Sequence, residues 1–445
     1  MKGILSPKQL LVMGGALFAM HFGASCMLYP VHWGKMAGNS VLTAFLGILI
    51  TGLILPLLAY VALSRGQGNF RNITSRFSPK FGPIFCLGTI VVLGPLFVVP
   101  RMSAAAWDAI LQFTGIQFES KLPALLFSII YYALTYWFAA SKSKTMEKIG
   151  NILSPILILI VVAVILKGII TPIGNGWVPS SSDKPAFVYG FLEGYATADL
   201  LCSLMFGLVI ISGLRNAGVP EEKMNSGIIK VGLVGIGLLV CTHFGHMIVG
   251  ANTGGSIDLE YAQLYTEVVR SLWGNVGGFL FTIALVAAAL TTAVGLTGAT
   301  AEYIDDAYNG KISYKVTALI TCISSIAISN IGLDAIVTIV TPVLDLFYPG
   351  AIVMVLYYAF MPDVLEGRKL AALRLAFYGA TICGLIDVIA QYCRILNVGN
   401  GFLSIYNWLP LSQYKMTWVV LSPALFIAGL FVIGKIQKSK MSAQF

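Results

Sequence analysis

Residues 17–30 read Leu17-Phe18-Ala19-Met20-His21-Phe22-Gly23-Ala24-Ser25-Cys26-Met27-Leu28-Tyr29-Pro30, an apolar segment interrupted near its middle by small residues. Inside a bilayer every backbone N–H and C=O needs a partner within the protein, so an unwound turn persists only where it lines a protein cavity. Small residues at such a break free backbone groups that can hold a ligand. The segment therefore predicts a binding site about halfway across a membrane.

The composition is that of a membrane protein. Of the 445 residues, 57% are hydrophobic and 11% are charged, whereas soluble proteins carry about 25% charged residues. Apolar runs of about 20 residues, the length that crosses about 30 Å of hydrocarbon, recur along the chain. The net charge of +9 is spread over short loops, which predicts contact with membrane lipid rather than nucleic acid.

The apolar runs predict twelve transmembrane helices, with no soluble domain and no cleavable signal peptide. On this reading, 20 of the 28 basic residues fall on one side, seven on the other, and Arg101 lies within a span. Because basic loops stay inside, both termini are predicted to be cytoplasmic. The predicted spans are 9–35, 40–64, 82–113, 121–140, 146–171, 187–213, 225–250, 270–303, 314–330, 333–360, 370–394 and 413–435.

The sixth apolar run carries a second interruption. Residues 191–201 place Glu193 and Asp199 within a span, with Gly194, Tyr195 and Thr197 between them. A charged residue inside a membrane costs about 2.5–3.5 kcal/mol on insertion scales, so it marks a functional position by default. Interrupted spans at corresponding positions of two halves point to a transporter site. Five spans per half is an odd number, so the two halves are predicted to be inverted repeats.

Motifs along most of the chain resemble one family. The sequence is similar to the bacterial branched-chain amino acid:cation symporters, whose fold is that of the leucine transporter. The matching motifs are Phe22-Gly23-Ala24, Ile50-Thr51-Gly52, Leu55-Pro56, Pro79-Lys80-Phe81-Gly82, Gly94-Pro95-Leu96-Phe97, Val99-Pro100-Arg101, Gly190-Phe191-Leu192-Glu193-Gly194-Tyr195, Leu290-Thr291-Thr292-Ala293 and Ala301-Glu302-Tyr303.

The resemblance implies Na⁺-driven import of leucine, isoleucine and valine across the bacterial cytoplasmic membrane by alternating access. It also implies one transporter domain over residues 1–445. Within that domain, 9–171 would be the first inverted repeat, 187–360 the second, and 370–435 two additional helices. Oligomeric state is left open.

An amino acid zwitterion needs donors for its carboxylate and acceptors for its ammonium group. Backbone amides at a half-helix N-terminus suit the carboxylate, and carbonyls and a hydroxyl near the second break suit the ammonium group. The predicted substrate-binding residues are Gly23, Ala24, Ser25, Cys26, Glu193, Gly194, Tyr195 and Thr197.

A sodium site is predicted beside the first break. Ala288, Thr291 and Thr292 share one helix face because of their i, i+3, i+4 spacing. The related fold implies that backbone carbonyls next to the break, at Ala19 and Phe22, complete the site. No other metal and no cofactor is predicted, and the seven cysteines lack metal-ligand spacing.

Two positions depart from the family. Members commonly have asparagine where this chain has Cys26, and a large apolar residue where it has His21. A thiol is a poor ligand for a hard cation, and histidine titrates near neutral pH. A missing second sodium site, proton coupling, or a different small neutral amino acid therefore stay open, as does a packing role for His21.

Three charged residues, Arg101, Asp108 and Asp199, are predicted to form an ion pair or a gate. Arg101 and Asp108 lie seven residues apart on one face of the third span, about 10.5 Å along the helix. An intramembrane arginine almost always has a partner, and Asp108, Glu193 or Asp199 could serve.

Other function classes fit less well. The sequence contains no nucleophile–base, metalloprotease or nucleotide-binding motif, so the chain is not expected to be an enzyme or an ATP-driven pump. A non-transporting amino acid sensor on the same scaffold remains an alternative.

Overall fold

Helices make up nearly all of the described chain. The computed structural model describes the backbone of residues 5–66, 69–140, 149, 151, 154–259, 261–361 and 367–442, and the side chains there except at 262, 334, 341, 367, 368 and 432–442. Most of residues 146–153, where the fifth span was predicted to begin, and both chain ends lie outside this description. The described residues contain no β-strand, which confirms the all-α class.

The described helices are numbered α1 to α18 along the chain. They are α1 (Pro7–His21), α2 (Ala24–Ala37), α3 (Val41–Ile48), α4 (Leu55–Arg65), α5 (Phe70–Phe77), α6 (Gly82–Val91), α7 (Val98–Thr114), α8 (Leu122–Ala139), α9 (Ser154–Ile170), α10 (Ala186–Ala196), α11 (Asp199–Asn216), α12 (Met224–Ala251), α13 (Tyr261–Ala307), α14 (Tyr314–Ser329), α15 (Leu333–Phe360), α16 (Gly367–Ile395), α17 (Asn400–Tyr406) and α18 (Trp418–Ser442).

The helices are those of a multi-pass membrane protein. Among the described residues, eight helical runs are long and apolar enough to cross a bilayer, and three shorter apolar helices accompany them. The membrane class is therefore confirmed, while the count of twelve spans stays a prediction.

Two predicted spans are continuous in sequence but irregular in structure. A π-helical segment (Leu49–Ile54) joins α3 to α4, and the Thr51 hydroxyl there donates to the Phe191 carbonyl at 2.8 Å. A second π-helical segment (Val92–Leu96) joins α6 to α7, with Gly94 at φ −78°, ψ −105°. Pro95 has no N–H to donate, so the helical ladder fails next to it.

Several predicted loops contain helices. The loop predicted at 64–81 contains α5, and the loop predicted at 251–269 contains the first residues of α13, which kinks at Gly274. The last span begins at Trp418 rather than at 413. These short helices escaped sequence analysis because they are too brief or too polar to resemble spans.

The two broken helices lie at the centre of the packing. Helices α1 and α2 pack against α12 and α13, while α10 packs against α3 and α11 against α4. Helix α13 also packs along α7, and the last pair, α16 and α18, pack against each other. Both breaks are thus enclosed by other helices rather than by lipid.

Glycines allow the closest of these helix contacts. A methyl group added at Gly34 of α2 would lie 1.9 Å from the Met247 carbonyl oxygen, and one at Gly250 of α12 would lie 1.9 Å from the Val31 carbonyl oxygen. Small residues at membrane helix crossings permit this backbone approach.

We expect Gly250→Ala to lower the thermal unfolding midpoint, because overpacking a tight contact costs about 1–3 kcal/mol. Gly237→Ala on the same helix is the matched control, since nothing lies within 4 Å of the added methyl group. The measurement is thermal unfolding of both variants in detergent, followed by intrinsic fluorescence. Equal midpoints for the two variants would contradict the close α2–α12 contact.

Candidate functional site

The first break lies at Phe22–Gly23, between α1 and α2. The Gly23 amide bonds the His21 carbonyl at 2.8 Å, and the Cys26 amide bonds the Gly23 carbonyl at 3.0 Å. The first amides of a helix lack intrahelical acceptors, so those of Ala24 and Ser25 are donors at the N-terminus of α2. The interruption predicted over Gly23–Cys26 is therefore shorter than expected, because residues 24–26 already form the first helical turn.

The second break lies at Thr197–Ala198, between α10 and α11. Ala198 has φ +54°, a left-handed conformation that is uncommon for a residue with a side chain. The Thr197 hydroxyl donates to the Gly194 carbonyl at 2.9 Å and lies 3.4 Å from the Asp199 amide, from which it accepts. One threonine side chain thus links the last turn of α10 to the start of α11.

A cavity of about 280 Å³ lies between the two breaks. Its wall includes charged and polar groups from both broken helices together with an apolar surface. The predicted site residues that line it are Gly23, Ser25, Cys26, Glu193, Thr197, Arg101, Asp199 and Thr292; the apolar residues are Met20, Leu93, Phe97, Val98, Met102, Val337 and Leu344.

Three of the predicted substrate-binding residues, and Asp108 of the predicted ion pair, do not line this cavity. Ala24 is buried, Gly194 packs closely on Thr51 and Gly52, and the Tyr195 hydroxyl accepts a hydrogen bond from Trp418 Nε1 at 2.9 Å. Asp108 lines a separate cavity of about 180 Å³ that also includes Lys121 and Asn330. The structure therefore brings Arg101 and Asp199 to one cavity and leaves Asp108 in another.

The side chain of Glu193 is held in place by a tryptophan. Trp33 Nε1 on α2 donates to Glu193 Oε2 on α10 at 2.8 Å, and both side chains line the cavity. This bond joins α2, which follows the first break, to α10, which precedes the second break. Sequence analysis missed Trp33, because the two residues are 160 positions apart and nothing local signals their pairing.

The predicted cation-site residues come together beside the first break. The Thr291 hydroxyl lies 2.6 Å from the Ala19 carbonyl oxygen and 2.9 Å from the Ala288 carbonyl oxygen. The Thr292 hydroxyl donates to the Met20 carbonyl at 2.8 Å. Phe22 is buried in the same region. Neutral oxygens of this kind are the ligands that hard cations prefer.

His21 is part of a buried polar cluster at the cavity. Its Nε2 lies 2.7 Å from the Tyr60 hydroxyl and 3.3 Å from the Ser203 hydroxyl. Its Nδ1 is buried without a hydrogen-bond partner among the described residues. His243 and Cys202, which sequence analysis did not place at the site, also line the cavity. In the sequence, these two residues stand out only as polar residues within predicted spans, which does not place them at the site.

The model of the branched-chain amino acid transport protein family matches residues 6–436. The chain belongs to this family. Two Bacillus subtilis relatives agree with that assignment. The branched-chain amino acid permease BraB is 31% identical, with 94% of each chain covered. The branched-chain amino acid permease BrnQ is 29% identical, covering 90% of this chain and 94% of the relative.

Solved structures agree on the fold of this branched-chain amino acid transport protein. Mhp1, a nucleobase-cation-symport-1 family transporter, has a TM-score of 0.58 at 12% identity, covering 96% of this chain and 93% of Mhp1. A manganese transporter of Eremococcus coleocola has a TM-score of 0.59 at 15% identity, with 97% of each chain covered. The expected leucine-transporter fold is confirmed. The relatives are permeases and transporters, which also confirms the expectation that this family member is not an enzyme.

We expect Trp33→Phe to raise the leucine concentration that half-saturates uptake roughly tenfold, because a hydrogen bond to a charged group contributes about 1.5–3 kcal/mol. The variant keeps an aromatic ring but removes the N–H that bonds Glu193, together with part of the ring volume. Uptake of labelled leucine into vesicles measures the change. Trp177→Phe is the control for the loss of an indole hydrogen bond, since the exposed Trp177 bonds Asn252 through Nε1 at 2.8 Å outside this cavity. A similar change in both variants would show that Glu193 is not held for binding.

Proposed function

We propose that the protein is a secondary active symporter that imports leucine, isoleucine and valine, or related neutral aliphatic amino acids, driven by a Na⁺ gradient. The observation that carries the proposal is the cavity between two helix breaks, with the cluster of hydroxyl and carbonyl oxygens beside it. The names of the Bacillus subtilis permeases support branched-chain amino acids as the substrate class.

The cavity offers each part of a zwitterionic amino acid a partner. The N-terminus of α2, with Gly23 and Ser25 at the cavity wall, favours a carboxylate. Glu193 and Thr197, which belong to the second broken helix, also line the cavity and suit an ammonium group. The apolar wall formed by α1, α7 and α15 would accommodate an aliphatic side chain. Because one methylene is worth only about 1–3 kcal/mol, related aliphatic amino acids should compete.

Sodium would bind between α1 and α13. The Thr291 hydroxyl already lies within 3 Å of both the Ala19 and the Ala288 carbonyl oxygens. An ion that replaces this hydrogen bond gains three neutral oxygens, and the Phe22 carbonyl and Thr292 hydroxyl complete the proposed set. The site joins the broken helix to α13, so ion binding would order the first break before the substrate enters.

Transport would proceed by alternating access, with the two broken helices rocking against the surrounding helices. Helix α2 packs on α12 and helix α10 packs on α3, so a helix of each half of the chain packs against a helix of the other half in a similar way. These pairs support an inverted repeat over 9–171 and 187–360. The basic loops support a cytoplasmic location for both termini.

The sodium site is tested by Thr291→Val, which removes one hydroxyl ligand and keeps the side-chain volume. We expect the Na⁺ concentration that half-saturates leucine uptake to rise roughly 5- to 100-fold, since a lost polar ligand costs about 1–3 kcal/mol. Reconstituted vesicles under separate sodium and proton gradients provide the measurement.

Thr282→Val on the same helix is the control, because the Thr282 hydroxyl is buried and bonds only the Gly278 carbonyl of its own helix at 3.0 Å. Unchanged Na⁺ dependence in the Thr291 variant would refute the assigned ion site. A wild-type protein that accumulates leucine under neither gradient would instead refute symport itself, and would favour a sensor.

Proton coupling is the second candidate, and His21 is the observation that favours it. Its imidazole lines the cavity and bonds to Tyr60 on α4 and Ser203 on α11. A histidine in this position could carry a proton between states in which it faces different partners.

If His21 only packs, we expect His21→Phe to retain leucine uptake with an unchanged pH profile between about pH 5 and 8. His246→Phe is the matched control, because His246 Nε2 also bonds a tyrosine hydroxyl, that of Tyr265 at 2.7 Å, away from the cavity wall. Loss of proton-driven uptake in the His21 variant alone would establish proton coupling in place of sodium.

A further inference from the structure

Arg101 reaches the cavity without a hydrogen bond or a close ion pair to the described part of the protein. It lies on α7, lines the cavity and stacks over the Phe97 ring, with the guanidinium carbon 4.8 Å from the ring centroid. Its Nε is buried with no hydrogen-bond partner in the described part of the chain. No carboxylate oxygen of the described residues lies within 4 Å of its guanidinium nitrogens. An intramembrane arginine that bonds no anion directly is rare, and its free donors suit an anionic ligand.

The acidic residues at the cavity do not fill this role. Glu193, on α10, accepts a hydrogen bond from Trp33 Nε1. Asp199 is close enough to Arg101 for electrostatic interaction but makes no ion pair with it. Asp108, two helical turns along the same face of α7, lines the other cavity. The guanidinium and the two carboxylates therefore stand apart around a shared space.

A second anion-binding feature faces the same space. Gly23 and Ser25, at the N-terminus of α2, line the cavity together with Arg101. Amide donors at a helix N-terminus and a planar guanidinium are the two groups best suited to a carboxylate. Both converge on one cavity from different helices.

We propose that Arg101 binds the carboxylate of the transported amino acid, opposite the amides of α2. This inference rests on the proposed function and deepens it. Arg101 thus accounts for carboxylate recognition on the side of the cavity that faces α7.

The competing explanation is that Arg101 only balances Asp199. The two explanations differ in what a ligand without a carboxylate would experience. Leucinamide carries the ammonium group and side chain of leucine but no carboxylate, so it would not use Arg101 as a carboxylate partner. At about pH 6.5 its α-amino group is protonated, as that of leucine is.

The experiment measures inhibition of labelled-leucine uptake by leucine and by leucinamide at pH about 6.5 in vesicles carrying the wild type, Arg101→Lys or Arg101→Gln. In the wild type we expect leucine to bind at least roughly tenfold tighter than leucinamide. In Arg101→Gln we expect leucine affinity to fall roughly 10- to 100-fold, with leucinamide affinity nearly unchanged. Arg101→Lys should fall between, because lysine keeps the charge and loses the paired donors.

Arg65→Gln is the control arginine, because Arg65 Nη1 bonds the Tyr358 carbonyl at 2.7 Å outside the cavity. Size-exclusion profiles and thermal midpoints identify variants that fail to fold, and Arg101→Lys then carries the test. Equal losses for leucine and leucinamide would overturn the proposal, as would recovery of leucine affinity in an Arg101→Gln, Asp199→Asn double variant. A wild type that takes up no leucine would refute the proposed function instead.

Discussion

A backbone group inside a membrane must find a partner in the protein, and this protein leaves some of them free at two places. At Phe22–Gly23 and at Thr197–Ala198 a membrane helix stops and restarts. Such turns would be costly against lipid. They persist here because α3, α4, α12 and α13 enclose them, and the space left between them becomes the cavity.

The two breaks are held open by different means. At the first break Gly23 has no side chain, which leaves room for the Thr292 hydroxyl that bonds the Met20 carbonyl. At the second break no glycine is present, and Ala198 adopts a left-handed conformation. The Thr197 side chain compensates by bonding the preceding turn. The first break is therefore stabilised by a side chain from α13, whereas the second is stabilised by a side chain of the break itself.

Sequence alone predicted the membrane class and the two broken helices from hydrophobic runs and small residues, and the shared face of Ala288 and Thr291 from helical spacing. The place of Ala19 beside them was implied by the family resemblance. Sequence analysis did not predict the bond between Trp33 and Glu193, because partners 160 residues apart leave no local pattern. It also misjudged Tyr195. A tyrosine beside a helix break can face either side of its helix, and packing against Trp418 and Tyr348 turns this one away from the cavity.

The hydroxyl of Tyr195 belongs to the last turn of α10, yet its partner Trp418 opens the final helix, α18. Next to it, the Thr417 hydroxyl lies 3.2 Å from the buried carboxylate of Asp387 on α16. The end of the chain is therefore fastened to the residue that comes two positions before the second interruption. Helices α16 and α18 are thus connected to that interruption through the Trp418 indole, and α16 also packs on α15, which lines the cavity. A shift of this helix pair, for example after a change in lipid thickness, would therefore reach the centre of the molecule.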